Sequence, residues 1–270
     1  MSDLEMQDAG RIRALTLSRE LSLNAFDNAL YRDLAQTLDS ARMDSGVAVV
    51  VLTGRGRAFS AGQDMAQMAE IGRELGEPKD GTPQSASAEA AGFPVLMDAL
   101  EAFDKPLIAA VNGLGVGLGF TILAHCDLVV MADDARLRAP FCPLGVAPEA
   151  ASSVLFPQRM GWQKAAWVLF SGEWITAREA LDAGIAWKVV PNADVLRAAM
   201  DAAGSIARWP IQSLVATKRA MLDGRSAAVR RARDVEDAAF GNLIGSPGNI
   251  EAVMAFLEKR DPDFTGIDDA

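Results

Sequence analysis

The chain has 270 residues, enough for one large domain or two small ones, and half are hydrophobic, so a packed core is expected rather than disorder. Its 26 Lys and Arg against 36 Asp and Glu leave a net charge of −10, which disfavours nucleic acid, because cationic side chains supply most affinity for phosphate. A single histidine, His125, and two cysteines, Cys126 and Cys142, exclude a histidine-rich metal site, a zinc site and a disulfide framework. Acid–base chemistry then falls mainly to carboxylates.

The acidic start, Met1 to Asp8, lacks the basic and apolar regions of a signal peptide. No apolar run reaches the roughly 18 residues of a membrane span. A cytoplasmic protein with no membrane partner is expected.

In chain order, Arg11 to Ser18 alternates polar and apolar residues and predicts an edge strand. Leu30, Leu34 and Leu38, spaced by four, predict an amphipathic helix. Val47 to Leu52, Pro106 to Val111 and Leu128 to Ala132 are continuous apolar runs, the pattern of strands buried on both faces. Buried strands separated by helix-length segments point to an α/β fold with parallel pairing. Between them Gly72 to Pro94 is rich in Gly, Pro, Ser and Ala and reads as a mobile loop with at most a short helix. Beyond Pro191 the pattern turns helical, over Val195 to Ala207, Ile211 to Leu222 and Ala227 to Arg260. The apolar stripe of Val235, Phe240, Leu243, Val253 and Phe256 needs a partner: the body of its own subunit, a neighbouring subunit, or both.

Two small-residue turns carry the functional signal. Phe59-Ser60-Ala61-Gly62-Gln63-Asp64-Met65 follows the Val47–Leu52 run, and Asp64 is placed to cap the helix expected there. Gly113-Leu114-Gly115-Val116-Gly117-Leu118-Gly119 follows the Pro106–Val111 strand and precedes an apolar helix. Glycines at such a junction expose backbone N–H groups where negative charge is favoured. A dinucleotide fingerprint G-x-G-x-x-G fails at Leu118 in one register and Phe120 in the other. A nucleophile elbow around Ser60 fails at Ala58.

Together Phe59 to Asp64, Ala110-Val111-Asn112-Gly113 with its glycine run, Cys126-Asp127-Leu128-Val129, Ile175 to Ala180, Val190-Pro191 and the terminal Ala255 to Arg260 resemble the crotonase (enoyl-CoA hydratase/isomerase) superfamily over nearly the whole chain, in the right order. The resemblance implies a spiral of β-β-α repeats over residues 1–200, a C-terminal helical region for packing and trimerisation over 201–270, and a homotrimer or dimer of trimers. It implies an acyl-CoA thioester substrate, with CoA part of the substrate and no separate cofactor or metal. It also implies an oxyanion hole for a thioester enolate, with the Ala61 and Leu118 backbone N–H groups as donors. Preorganised donors of that kind stabilise charge developing on a thioester oxygen.

The catalytic side chains separate reactions within the superfamily. Members that hydrate resemble one another in carrying two glutamates, and those positions fall on Thr121 and Phe141. One acid is left well placed, Glu149, in Pro148-Glu149-Ala150-Ala151-Ser152-Ser153, which resembles the Pro-Glu-x-x-Ser-Ser segment of Δ3,Δ2-enoyl-CoA isomerases. Pro148 at the first helical position would put Glu149 in the first turn of a helix. Its apolar neighbours Phe141, Leu144, Val146, Val154, Leu155 and Phe156 would raise its pKa towards a useful range.

The expected reaction therefore shifts a 3-enoyl-CoA double bond to the 2-position, with Glu149 carrying the proton. The alternatives are another crotonase reaction (hydrolase, lyase or residual hydratase) and an acyl-CoA-binding paralogue without catalysis. Contacts to substrate and CoA are expected from Arg19, Gly62, Gln63, Asp64, Met65, Gly117, Phe141, Phe256 and Lys259. His125 is expected to pack or cap rather than react.

Overall fold

The computed structural model describes residues 3–64 and 92–267. Strands β1 (Leu4–Ala9), β2 (Ile12–Leu17), β3 (Val49–Gly54), β5 (Leu107–Val111), β7 (Leu128–Ala132) and β10 (Lys188–Val190) form one sheet in the order β1-β2-β3-β5-β7-β10. Strands β4 (Ala58–Ser60), β6 (Leu114–Val116), β8 (Arg136–Arg138) and β9 (Ile175–Thr176) form a second, in the order β4-β6-β8-β9. The pairs β3/β4, β5/β6 and β7/β8 each add one strand to both sheets, and their partners within each sheet run parallel. That stepwise advance is the β-β-α spiral. Every residue of β3 and β5 is buried, which is why those runs carry no polar alternation.

One strand position differs from expectation. β2 is not an edge strand, because β1 pairs antiparallel with it from Leu4–Leu17 to Ala9–Ile12. In β1 only Leu4 is buried, so no hydrophobic alternation marks it in the sequence. An Asp8–Arg13 ion pair at 2.8 Å crosses the hairpin.

Helices α1 (Asn28–Met43) and α2 (Gly92–Ala102) pack on each other. α2 begins inside the stretch expected as loop, and residues 72–91 of that stretch lie outside the described residues. α3 (Leu118–Thr121) lies between β6 and β7, α4 (Ser152–Met160) and α5 (Trp162–Ser171) follow β8, and α6 (Ala177–Ala183) follows β9. α7 (Val195–Ala207) lays Val195, Ala198, Ala199, Ala203 and Ala207 against β3, β5 and β7. Residue 200 therefore falls inside a helix of the body, and the outlying helical region starts at Ile211.

α8 (Ile211–Leu243) is continuous over 33 residues through Gly224, where two helices were expected. A glycine in a helix interior costs about 1 kcal/mol, which a long packed helix absorbs. Lys218 bonds to Asp127 and to the Lys105 carbonyl, both at 2.8 Å, and Arg233 pairs with Asp98 and Glu101. These contacts fasten α8 to its own subunit. Ser246 then caps α9 (Pro247–Glu258), accepting from the Asn249 N–H at 3.2 Å with Pro247 at the first helical position. Among the described residues no helix is long and apolar enough to cross a membrane.

Candidate functional site

The two small-residue turns lock together through their backbones. A Cβ on Gly113 would collide with the Arg57 carbonyl, and one on Gly119 with the Ser60 carbonyl. Gly62, at φ +84°, would bring a Cβ to 2.5 Å from Val116 O and 3.4 Å from Leu118 N. The glycines are needed for close backbone approach as well as for turning. Gly117 differs: its φ of +52° calls for glycine, and a Cβ there would meet open space. Its carbonyl accepts from the Phe120 and Thr121 N–H groups at 2.8 and 2.9 Å, which starts α3.

Around the first turn, backbone bonds select which amide is free. Ala61 N–H donates to the Leu23 carbonyl at 2.9 Å, and Asp64 N–H to the Phe26 carbonyl at 2.9 Å. Gly62 N–H reaches Ser60 Oγ at 3.1 Å. Gln63 N–H and Leu118 N–H have no partner among the described residues, and they belong to segments in contact. The assignment of Ala61 as donor is thus corrected: its hydrogen bond is spent in the sheet-like pairing with residue 23. At Gln63 the flanking Gly62 carbonyl and Asp64 N–H both bond to Phe26, so the Gln63 N–H faces away from that segment; the left-handed Gly62 (φ +84°) interrupts the extended alternation that would otherwise aim it with Ala61.

Glu149 lies beside Thr121, the last residue of α3, so one short helix links Leu118 to the acid. The Thr121 hydroxyl is buried and, without meeting hydrogen-bond geometry to any group, is near enough to pull the Glu149 pKa down slightly. Burial outweighs it. Desolvation, then the negative charges of Glu236 and Asp237, push Glu149 from 4.5 up to about 8. Tyr31 of α1, 1% exposed, its hydroxyl also without a partner, is close enough to feel the Glu149 charge. Burial first, and the nearby Glu149 and Asp27 charges next, hold that phenol well above 10. The Tyr31 ring stacks on Phe26 at 5.2 Å, and Phe26 N–H donates to the Gly62 carbonyl at 2.7 Å. Acid, hydroxyls and first turn are therefore one packed unit.

The turn carrying Glu149 is not the first turn of a helix. α4 begins at Ser152, and Ala150 and Ala151 both take left-handed backbone, φ 59° and 56°. His125 Nε2 donates to the Ala150 carbonyl at 2.9 Å; burial lowers its pKa to about 4, so it is neutral and structural at neutral pH. Glu236, 3% exposed on α8, accepts from the Ala151 and Ser153 N–H groups at 2.7 and 2.8 Å. Nothing in the sequence pattern singled out Tyr31 or Glu236. Glu236 lies among many helical acids, and only its buried position distinguishes it.

The residues expected to bind CoA divide. The Arg19 guanidinium is committed to Asp3, Asp27 and Asp64 at 3.0–3.4 Å, so it is not open to a phosphate. With Arg19 it is Asp64 that clips the first turn to the start of α1. Phe141 is buried in the core. Phe256 and Lys259 are exposed at the end of α9 and are not brought into the group around Glu149. Met65 lies outside the described residues, as does the helix expected after Asp64. Among the described residues no cluster of acidic, histidine or cysteine side chains has the form of a metal site.

Residues 7–267 match the family model described as enoyl-CoA hydratase/isomerase. The 2,3-dehydroadipyl-CoA hydratase of Escherichia coli (strain K12) is 35% identical, over 98% of this chain and all of that protein. The enoyl-CoA delta isomerase 2 of Rattus norvegicus is 30% identical over 93% of this chain and 62% of its own. A crystal structure of an enoyl-CoA hydratase/isomerase from Pseudoalteromonas atlantica T6c superposes with a TM-score of 0.87 at 31% identity, covering 98% of this chain and all of that one.

Proposed function

The chain belongs to the enoyl-CoA hydratase/isomerase family, of crotonase fold, and from that premise we propose that it moves a 3-enoyl-CoA double bond to the 2-position, with Glu149 as the sole proton carrier. The observation that carries the reading is a part-buried carboxyl of raised pKa beside the helix that presents the Leu118 amide, with Thr121 and Phe141 at the positions where hydrating relatives carry glutamates. The ionised Glu149 takes a proton from C2. The electron pair moves into a dienolate whose oxygen the Gln63 and Leu118 N–H groups hold, and the same carboxyl returns the proton at C4. Atoms balance without water, metal or redox cofactor.

The similarity to a hydratase supports a second reading, in which Glu149 activates water against a 2-enoyl thioester. A spectroscopic assay with 3-hexenoyl-CoA and crotonyl-CoA separates the two. Conjugation of the first, lost in Glu149→Gln, supports isomerisation; consumption of crotonyl-CoA alone overturns it. Exposed Trp162, Trp167 and Phe170 on α5 and Phe256 on α9 support assembly as a homotrimer or dimer of trimers, which sedimentation tests.

A further inference from the structure

Helix α4 starts on a residue that cannot cap it. Ala151 occupies the N-cap position, where a Ser, Thr, Asp or Asn side chain ordinarily accepts from the first free amides. The carboxylate doing so comes from 85 residues later in the chain: Glu236 Oε2 takes the Ala151 N–H and Oε1 the Ser153 N–H. Glu149, two residues before the cap, is the carboxylate nearest in the chain that could compete for those amides and for the positive end of the helix dipole. Had Glu149 taken them, it would be held ionised and directed at its own helix.

The chain path also prevents this. Consecutive left-handed alanines are strained by about 1 kcal/mol or more each and persist only where outside contacts hold them. Those contacts are His125 on the Ala150 carbonyl, Ser152 Oγ on the Glu149 carbonyl at 2.6 Å, and Glu236 on the two amides.

We infer that Glu236 is a positioning residue: by filling the N-terminus of α4 it keeps the Glu149 carboxyl off those amides and free to take up and release a proton. This deepens the reading of Glu149 as proton carrier and rests on it. The groups facing Glu149 are Glu236 and Asp237 from α8, Thr121 from α3 and Tyr31 from α1. Arg233, which acts on Asp237, is engaged by Asp98 and Glu101, and no cation among the described residues offsets the acids at Glu149. Glu236 therefore acts in two ways, by occupying the amides and by placing a negative charge beside the neutral acid.

The test reads the proton itself. In the full chain, infrared titration of the carboxyl C=O band that Glu149→Gln removes gives the Glu149 midpoint directly. Glu236→Gln should lower that midpoint by about one unit or more, through the lost charge and one lost amide bond, and the pH profile of 3-hexenoyl-CoA turnover should move with it. A midpoint unchanged in Glu236→Gln overturns the inference. Should that variant not fold, Glu236→Asp, too short to bridge both amides, is read in the same way, and an unchanged midpoint has the same meaning. A normal shift without any turnover of 3-hexenoyl-CoA would strike the proposed reaction and leave the positioning role standing.

Discussion

The two halves of the site are held in different ways. The glycine turns are fixed by backbone against backbone, between strands that neighbour each other in the spiral: Gly113 on Arg57, Gly119 on Ser60, Gly62 on Val116. The Glu149 turn is fixed by side chains reaching in from outside it, His125 from the end of the glycine-rich segment and Glu236 from α8. The backbone approaches of the first kind involve no ionisable group. The second contains Glu149, the group proposed to change its charge. In the proposed reaction the donors, which must not move, are made of main chain, while the proposed proton carrier sits where its electrostatic surroundings can be set by distant residues.

Substitutions should break the halves unequally. The largest effect is expected from Gly119→Ala, whose Cβ forces the two turns apart; about 3 kcal/mol of stability should go in urea unfolding, with turnover falling at least about 100-fold as the donors separate. Glu149→Gln leaves the turns intact and should cost about 10³-fold in kcat with 3-hexenoyl-CoA. With the wild type, kcat/KM should rise about tenfold per pH unit and level off near the Glu149 midpoint of about 8, because the base must be ionised in the free enzyme. A flat profile between pH 6 and 8 would falsify Glu149 as the base.

Stability runs the opposite way. The folded chain keeps a proton on Glu149 that the unfolded chain has released, so stability from this group is complete below pH 4.5 and drains away as pH rises to about 8. Each pKa unit corresponds to about 1.4 kcal/mol. Allowing for partial solvent access, Glu149→Gln should be more stable than wild type at pH 8 by about 1–3 kcal/mol and nearly equal at pH 4.5, by chemical denaturation at both. The smallest change is expected from Tyr31→Phe: deleting a buried hydroxyl that has no partner should alter unfolding by less than about 1 kcal/mol, towards greater stability.

How much was legible follows the same division. β3, β5 and β7 announce themselves as apolar runs because they are buried on both faces, and α1 because one face is. β1 does not, since an edge strand with one buried residue has no pattern to read. The glycine turns and Glu149 were visible as segments resembling a family. Which amide is free was not, because Ala61 and Gln63 differ only in the partner that residues 23–26 offer. Arg19 looked like a cation awaiting phosphate until three carboxylates from separate stretches of chain closed on it. Glu236 and Tyr31 were invisible for a related reason: each sits on a helix whose periodicity describes its own face and says nothing of what lies across from it.

The reach of Glu236 also sets an order in time. A chain made from its N-terminus can complete both sheets and the glycine turns while residue 236 is still unsynthesised. Until α8 docks, the amides of Ala151 and Ser153 lack the carboxylate that completes their turn. The Glu149 turn is thus the last of these segments to reach its folded surroundings, and nascent chains in which the glycine turns have already formed have yet to complete it.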